Sequence, residues 1–362
     1  MIPTQKKIRV LVVDDSAVAR SFLIKGLEAY PNIEVVGYAI NALDATAKIQ
    51  RLQPDVMTLD VEMPGTNGID FLAKLLPEHP LPVILVSSLN LRVFDALAAG
   101  AVDFVRKPDG TESRDSFFRS LSQKIVVASC AKVVRCKHAA PPAAASSAAA
   151  PAPAAPVAPP AALGGNCGLD LDHTIIGLGA STGGTEATLE VLKRLPADIP
   201  GMVIVQHMPP GFTKMYAQRL DKLCAMEVRE AEHGDEIRRG LVLVAPADLQ
   251  ARVVRMGSRY TLSCQPGEKV SGHRPSVDAL FSSMASAVKC AMVGIIMTGM
   301  GRDGASGLLE MRKAGAYTIG QDKDSCVVYG MPGVAQDIGA VMVQAPCDGI
   351  ASVLMQHLRT GK

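Results

Sequence analysis

A tract of alanine and proline divides this chain, and the rest of its architecture follows from that division. From Ala139 to Ala162 the sequence reads AAPPAAASSAAAPAPAAPVAPPAA. It carries no charge, no aromatic ring and no periodic apolar face, so it has nothing to bury. Such a segment does not thread a core; it joins two. Extended as polyproline II, its 24 residues reach about 75 Å, which lets the units on either side meet or part. The chain of 362 residues is too long for one ordinary core and suits two. The expected division is a domain over residues 1–125, a linker over 126–170 and a second domain over 171–357.

Charge and patterning exclude several classes of function. A formal net charge of +2 provides no global field for nucleic acid or anionic lipid, and no long basic run supplies a local one. The stretch MIPTQKKIRVLVVDD has a cationic beginning but only a short apolar strand ending in two acids, which is not a signal peptide. No run of about 18 apolar residues free of Pro and Gly occurs, as a membrane helix would need. The expectation is a cytoplasmic protein without membrane insertion or a nucleic-acid partner. The 8 cysteines show no CxxC and no paired Cys/His spacing, so they read as reduced, small core hydrophobes rather than zinc ligands.

Before the tract, strands and helices alternate. IRVLVVDD is a buried strand, SAVARSFLIKGLEAY a helix opened by Ser16, IEVVGYA a strand, NALDATAKIQRL a helix, and the alternation continues through VDFVRKP. Apolar strands separated by helices imply a parallel sheet covered on both faces. In such a doubly wound three-layer α/β unit the site lies beyond the carboxyl ends of the strands. Asp14 and Asp15 end the first strand, Asp60 the third, Ser87 the fourth and Lys107 the fifth. Three converging carboxylates repel one another unless a cation intervenes. The cation that suits them is Mg²⁺, which takes a few carboxylates and fills its remaining positions with water and phosphate oxygens. Ser87 and Lys107 then become ligands for a phosphate placed on Asp60.

The second domain repeats the architecture, with HTIIGLGAS, GMVIVQHM, GLVLVAP and MVGIIMTGM as strands of another mostly parallel sheet. It lacks a basic recognition helix and exceeds a minimal helix-turn-helix unit, so DNA binding is excluded as the output. The turn GASTGG carries two overlapping signatures. Gly177, Gly179 and Gly183 spell a loose dinucleotide fingerprint, whereas Gly179, Ser181 and Gly183 spell a nucleophile elbow. The first requires an acid at the end of the next strand to hold a ribose hydroxyl, and that strand ends in Gln206 and His207. A nicotinamide site is therefore disfavoured. Hydrolysis requires a base for the serine, a carboxylate to orient the base and donors for the oxyanion. His207 ends the strand beside Ser181, and Asp303 lies in the later turn GMGRDGA. The backbone N–H of Thr182 points where an oxyanion would form, and Met300 offers another. The expected arrangement is a hydroxyl–imidazole–carboxylate chain along one sheet edge.

VLVVDDSAVAR, DVMTLDVEMPGTNGID and AVDFVRKP resemble the receiver domains of two-component response regulators over residues 7–125. The resemblance implies that Asp60 accepts a phosphoryl group from a histidine kinase, with Mg²⁺ carried by Asp14 and Asp15 beside it. It sets Ser87 and Phe104 at the switch hydroxyl and switch aromatic positions. IGLGASTGGTEA, VIVQHMPPGFT, HRPSVDALF and IIMTGMGRDGASGLLEMRKAGAYTIGQDKDSCVVYGMPG resemble the chemotaxis response-regulator protein-glutamate methylesterases, the CheB family, across residues 173–357. That resemblance implies Ser181 as nucleophile, His207 as base and acid, and Asp303 as its orienting carboxylate, with Thr182 and Met300 lining the site and no cofactor. The implied substrate is a methylated glutamate on the cytoplasmic helices of a methyl-accepting chemotaxis receptor, with receptor glutamines also deamidated. His273 and Arg274 become candidates for contacting an acidic receptor helix, and the unphosphorylated receiver is expected to cover the rim around Ser181. The chain departs from the family pattern in APADLQARV, in Lys323 and in the length of the Ala/Pro tract.

Overall fold

Ten regular elements alternate without exception in the first half of the computed structural model, which describes residues 6–63, 68–88, 92–108, 110, 113–132, 163 and 168–361. They are β1 (Ile8–Val13), α1 (Ala17–Leu27), β2 (Ile33–Ala39), α2 (Ala42–Leu52), β3 (Val56–Leu59), α3 (Gly68–Glu78), β4 (Val83–Ser87), α4 (Arg92–Ala98), β5 (Asp103–Arg106) and α5 (Arg114–Ser129). The five strands form one parallel sheet in the order β2-β1-β3-β4-β5. The order reverses after β1, and that reversal opens a crevice at the carboxyl ends of β1 and β3. Local chemistry sets the helix starts. The hydroxyl of Ser16 accepts from Ala19 N at 3.3 Å, Asn41 Oδ1 accepts from Asp44 N at 2.9 Å, and Ser113 Oγ accepts from Ser116 N at 3.2 Å.

The second half adds β6 (Thr174–Ala180), α6 (Gly184–Leu192), β7 (Gly201–Gln206), α7 (Phe212–Leu223), β8 (Glu227–Glu230), β9 (Asp235–Glu236), β10 (Leu241–Val244), β11 (Gln250–Met256), β12 (Arg259–Gln265) and α8 (Val277–Ala287). It closes with β13 (Ala291–Ile296), α9 (Ala305–Lys313), β14 (Tyr317–Gln321), α10 (Met331–Asp337), β15 (Val343–Ala345) and α11 (Ile350–Thr360). Seven of these strands make a second parallel sheet, ordered β15-β14-β13-β6-β7-β10-β8. Strand β6 sits near its middle, between β13 and β7, and is buried along its whole length. The turns after these three strands therefore share one rim.

Three features differ from the sequence expectation. Helix α5 runs to Ser129, past the boundary at 125, because Ile125, Val127 and Ala128 continue its buried face. Helix α11 runs to Thr360, past 357, on buried Leu354 and Leu358. A small antiparallel sheet, β11-β12-β9, covers α8; its alternating, half-exposed strands carry no long apolar run to announce them. The expected linker over 126–170 falls mostly on residues outside those described, including the whole of 139–162.

The two sheets do not stand apart. Leu97, Phe94 and Phe104 of the first unit and Phe212, Tyr216 and Ala217 of the second belong to one continuous apolar cluster. Phe104 and Phe212 lie 4.6 Å apart between ring centroids, Phe94 stacks on Tyr216 at 5.8 Å, and the Arg219 guanidinium sits 5.7 Å over the Phe94 ring. Aromatic pairs of this kind add about 0.5–1.5 kcal/mol each beyond their area burial. No helix among the described residues is long and apolar enough to cross a membrane.

Candidate functional site

Two rims carry polar chemistry. The first lies at the carboxyl ends of β1, β3, β4 and β5. Asp14 and Asp60 are buried and Asp15 is exposed, and each offers a carboxylate oxygen within 4.8 Å of the others. Lys107 Nζ donates to Asp60 Oδ2 at 2.6 Å and pairs with Asp14 Oδ2 at 3.1 Å. Burial pushes the Asp60 carboxyl above its ordinary value despite the opposing pull of Lys107 and of the Glu62 N–H, with the Asp14 charge adding to the rise. Ser87 is 1% exposed, and its hydroxyl has no hydrogen-bond partner among the described residues. An unsatisfied buried hydroxyl is costly. The donor set is oxygen-rich, anionic and converging, which fits Mg²⁺. Phe104 is buried on β5, with its ring turned against Phe212 rather than toward solvent.

The second rim is built on β6, β7 and β13. The glycine turn after β6 brings Ser181 to the sheet edge without using its hydroxyl as a cap. The N-cap of α6 is Gly183, at φ 76°, and it makes no side-chain cap bond. A side chain at Gly183 would be strained there and would also meet Val327. The turn is pinned by backbone: Ser181 N donates to Thr298 O at 3.0 Å, and Gly184 N to Ser181 O at 2.8 Å. Gln206, the residue standing where a dinucleotide site would need an acid, donates from Nε2 to Ser181 O at 2.8 Å and to His207 O at 3.2 Å. It ties the serine turn to the histidine strand.

Asp303 likewise does not cap the helix that follows it, whose N-cap is Gly304. Its carboxylate instead occupies the N-terminus of α8. Oδ1 accepts from Ser276 Oγ at 2.7 Å and from Asp278 N at 3.0 Å, while Oδ2 accepts from Val277 N at 2.8 Å. Oδ2 also meets His207 Nε2 at 2.8 Å. Burial raises this carboxyl, but the His207 hydrogen bond and charge, with the Asp278 N–H and the Ser276 hydroxyl, outweigh it and hold it below its ordinary value. An ionised carboxylate only accepts, so Nε2 carries the imidazole proton and Nδ1 is left with a lone pair. That Nδ1 is buried and has no partner among the described residues.

The structure thus brings Ser181, His207 and Asp303 to one rim and makes the imidazole–carboxylate link. The serine–imidazole link is not made among the described residues. A serine hydroxyl turns freely about its bond, and hydrogen bonds of this kind tighten when substrate fills the site. Thr182 is buried, Met300 is 44% exposed, and neither backbone N–H donates to another described residue. Arg274 is committed to its own loop, donating from Nη1 to Gly267 O at 2.8 Å and lying 3.7 Å from Asp248. His273 lies flat against His207, with ring centroids 3.8 Å apart and planes 5° from parallel.

The first unit contacts this rim at Thr182. Thr182 Oγ1 donates to Asp103 Oδ2 at 2.6 Å, and Lys124 Nζ holds the other oxygen of Asp103 at 2.6 Å. Further along, Lys132 N donates to Val327 O at 3.1 Å, and Val327 is the residue that lies on Gly183. Sequence reasoning missed Gln206, Ser276 and Asp103. The absence of an acid at Gln206 and the capping serine before α8 were visible; nothing local marked Asp103.

Two family models match the chain. Residues 176–354 match the family model described as CheB methylesterase, and residues 10–114 match that of the response regulator receiver domain. A protein-glutamate methylesterase/protein-glutamine glutaminase of Syntrophomonas wolfei is 48% identical over 351 residues, spanning 96% of this chain and 97% of its own. One from Syntrophotalea carbinolica is 46% identical over 359 residues, or 98% of each chain. The crystal structure of the Thermotoga maritima CheB methylesterase catalytic domain is 35% identical, covering 50% of this chain and 97% of its own with a TM-score of 0.49. This chain belongs to the CheB methylesterase family and carries a response regulator receiver domain ahead of its methylesterase domain.

Proposed function

We propose that this protein is a phosphorylation-activated serine hydrolase. It demethylates glutamate methyl esters on the cytoplasmic helices of chemoreceptors, releasing methanol, and deamidates receptor glutamines at the same site. The observation that carries the reading is the His207 imidazole, held by an ionised Asp303 in the N-terminus of α8, at the strand end next to Ser181.

In this mechanism Nδ1 of His207 takes the Ser181 proton as Oγ attacks the γ-carbonyl carbon. The tetrahedral oxyanion is met by the backbone N–H groups of Thr182 and Met300. The carbonyl re-forms as methanol, or ammonia from a glutamine, leaves with the proton from the imidazolium. A water then gives its proton to Nδ1, attacks the acyl-enzyme and frees glutamate and Ser181. Asp303 stays ionised throughout and stabilises each imidazolium. Holding the proton on Nε2 makes Nδ1 the working nitrogen.

The receiver acts as the regulator, with residues 1 to about 132 as one domain and about 168 to 361 as the other. Its phosphodonor is a histidine kinase and its acceptor is Asp60. Asp14, Asp15 and Asp60 would hold Mg²⁺, which when bound neutralises charge on the phosphoryl oxygens. Lys107 and the unpartnered Ser87 hydroxyl are the protein's own ligands for that phosphate. Lys107 follows β5, which bears Asp103 and Phe104 of the interface, and Ser87 ends the neighbouring β4. Moving them changes the surface that clamps Thr182, which shifts the population toward an open rim.

Release of labelled methanol from methylated receptor membranes tests the reading, using wild type and Ser181→Ala with and without a small phosphodonor. Release by wild type, stimulated by the donor and absent in Ser181→Ala, is expected. Equal release by Ser181→Ala overturns the serine mechanism.

A further inference from the structure

Catalysis needs the His207 ring to hold its plane while its charge changes, and one in-plane hydrogen bond cannot enforce this. The Nε2–Asp303 contact fixes a direction, but the ring can still turn about that axis and swing Nδ1 away. A face contact removes the remaining freedom. The His273 ring supplies one, at 3.8 Å and 5° from parallel, and its nitrogens make no hydrogen bond to another described residue.

The platform is firmly built. The backbone of His273 bridges Val270 in both directions, at 2.9 and 3.1 Å. Its carbonyl accepts from Gln250 Nε2 at 3.0 Å, while Gln250 Oε1 accepts from Ser276 N at 3.1 Å. Ser276 in turn donates from Oγ to Asp303 Oδ1 at 2.7 Å. One side chain, Gln250, therefore ties together the mount of the stacked ring and the cradle of the carboxylate. Resting on the esterase reading above, we propose that His273 is a positioning residue. It fixes the plane of the His207 imidazole and presents an uncharged π face to the imidazolium formed when Ser181 gives up its proton.

A charged neighbour in this place would oppose that imidazolium. Burial first, and the adjacent His207 second, push His273 down to about 4, and Lys269 and Lys124 act in the same direction against Asp303. At neutral pH the platform is therefore an uncharged aromatic ring. It is the aromatic face and not a proton that the site uses.

The test measures methanol release by the full-length, phosphodonor-treated chain carrying His273→Phe, His273→Leu or His273→Ala, with Ser181→Ala alongside. Phe keeps the flat face without a titratable nitrogen, and Leu fills the volume without the face. The expectation is that His273→Phe stays within about threefold of wild-type kcat. His273→Leu and His273→Ala should lose about 10- to 30-fold in kcat with KM changed less than about twofold. Retained kcat in His273→Leu and His273→Ala overturns the proposal, as does a Phe variant as slow as Leu. A rise in KM at unchanged kcat also overturns it and assigns His273 to substrate contact. Unfolding midpoints of the three variants, together with His273→Phe rescue, separate a folding defect from lost positioning. The Ser181→Ala arm keeps this outcome distinct from failure of the esterase reading, because only that failure leaves Ser181→Ala active.

Discussion

The two rims of this protein use the same sheet architecture and treat buried charge in opposite ways. At the receiver rim Asp60 is desolvated and shares one lysine with Asp14, and the strand-end hydroxyl of Ser87 has no partner among the described residues. Its carboxyl is pushed up. At the esterase rim Asp303 is equally buried but accepts three hydrogen bonds from the start of α8 besides that of His207, and its carboxyl is pushed down. One rim leaves a buried hydroxyl and a carboxylate oxygen without hydrogen-bond partners among the described residues. At the other, the imidazole–carboxylate pair and its donors from the start of α8 are already in place. The lesson is that a strand-end carboxylate declares its role through its donors rather than its position.

Substitutions can break or sharpen that contrast. The largest effect belongs to Ser181→Ala, which should lower kcat for methanol release by about 10⁵–10⁶-fold while leaving phosphorylation of Asp60 by acetyl phosphate intact. Phosphorylation lost with the same substitution would show that the rims are not separable. Asp303→Asn should cost about 10³–10⁴-fold in kcat, because the amide can donate to Nε2 and strand the proton on Nδ1. Asp60→Asn should instead abolish only the stimulation by phosphodonor, and a comparison of donor-dependent rates distinguishes the two acids.

Asp103→Ala removes the acceptor of the Thr182 hydroxyl at the covered rim. A charge-assisted hydrogen bond is worth about 1.5–3 kcal/mol, so the unphosphorylated chain should gain up to about 10- to 100-fold in methanol release. An unchanged rate would place the clamp elsewhere, in the Phe94, Phe104 and Phe212 cluster.

Acid stability gives the smallest signal and the cleanest sign. The lowered Asp303 carboxyl contributes stability above its ordinary value of 3.8 that is lost as pH falls through its folded value. The raised Asp60 carboxyl takes up its proton more readily folded than unfolded, so protonation stabilises the receiver as pH falls from its folded value toward 3.8. At neutral pH Asp303→Asn should therefore lower the unfolding midpoint and Asp60→Asn should raise it, each by a few degrees. Both differences should shrink below pH 4 in denaturation scans. Shifts of the same sign would remove the contrast between the two rims.

Much of this is legible in the amino-acid sequence alone. Strand ends carrying Asp14, Asp15, Asp60, Ser87 and Lys107, and later Ser181, His207 and Asp303, could be read because apolar periodicity fixes where a strand stops and which turn follows. The antiparallel β11-β12 pair was not legible, since its residues are half-exposed and its apolar runs broken. The true end of α5 was missed because its buried face extends beyond the expected boundary. The bond from Arg274 to the Gly267 carbonyl was not legible either, since no motif announces a backbone acceptor.

The sequence by itself determined two doubly wound units, the chemistry gathered at each rim and the nucleophile elbow, since strand alternation, helix caps and glycine turns act over a few residues. Only the tertiary structure decided that Asp303 belongs to α8, that His273 lies on His207, and that Asp103 reaches Thr182 across 79 positions. Those pairings depend on how separately formed surfaces fit once packed, and close packing couples residues that no local periodicity relates.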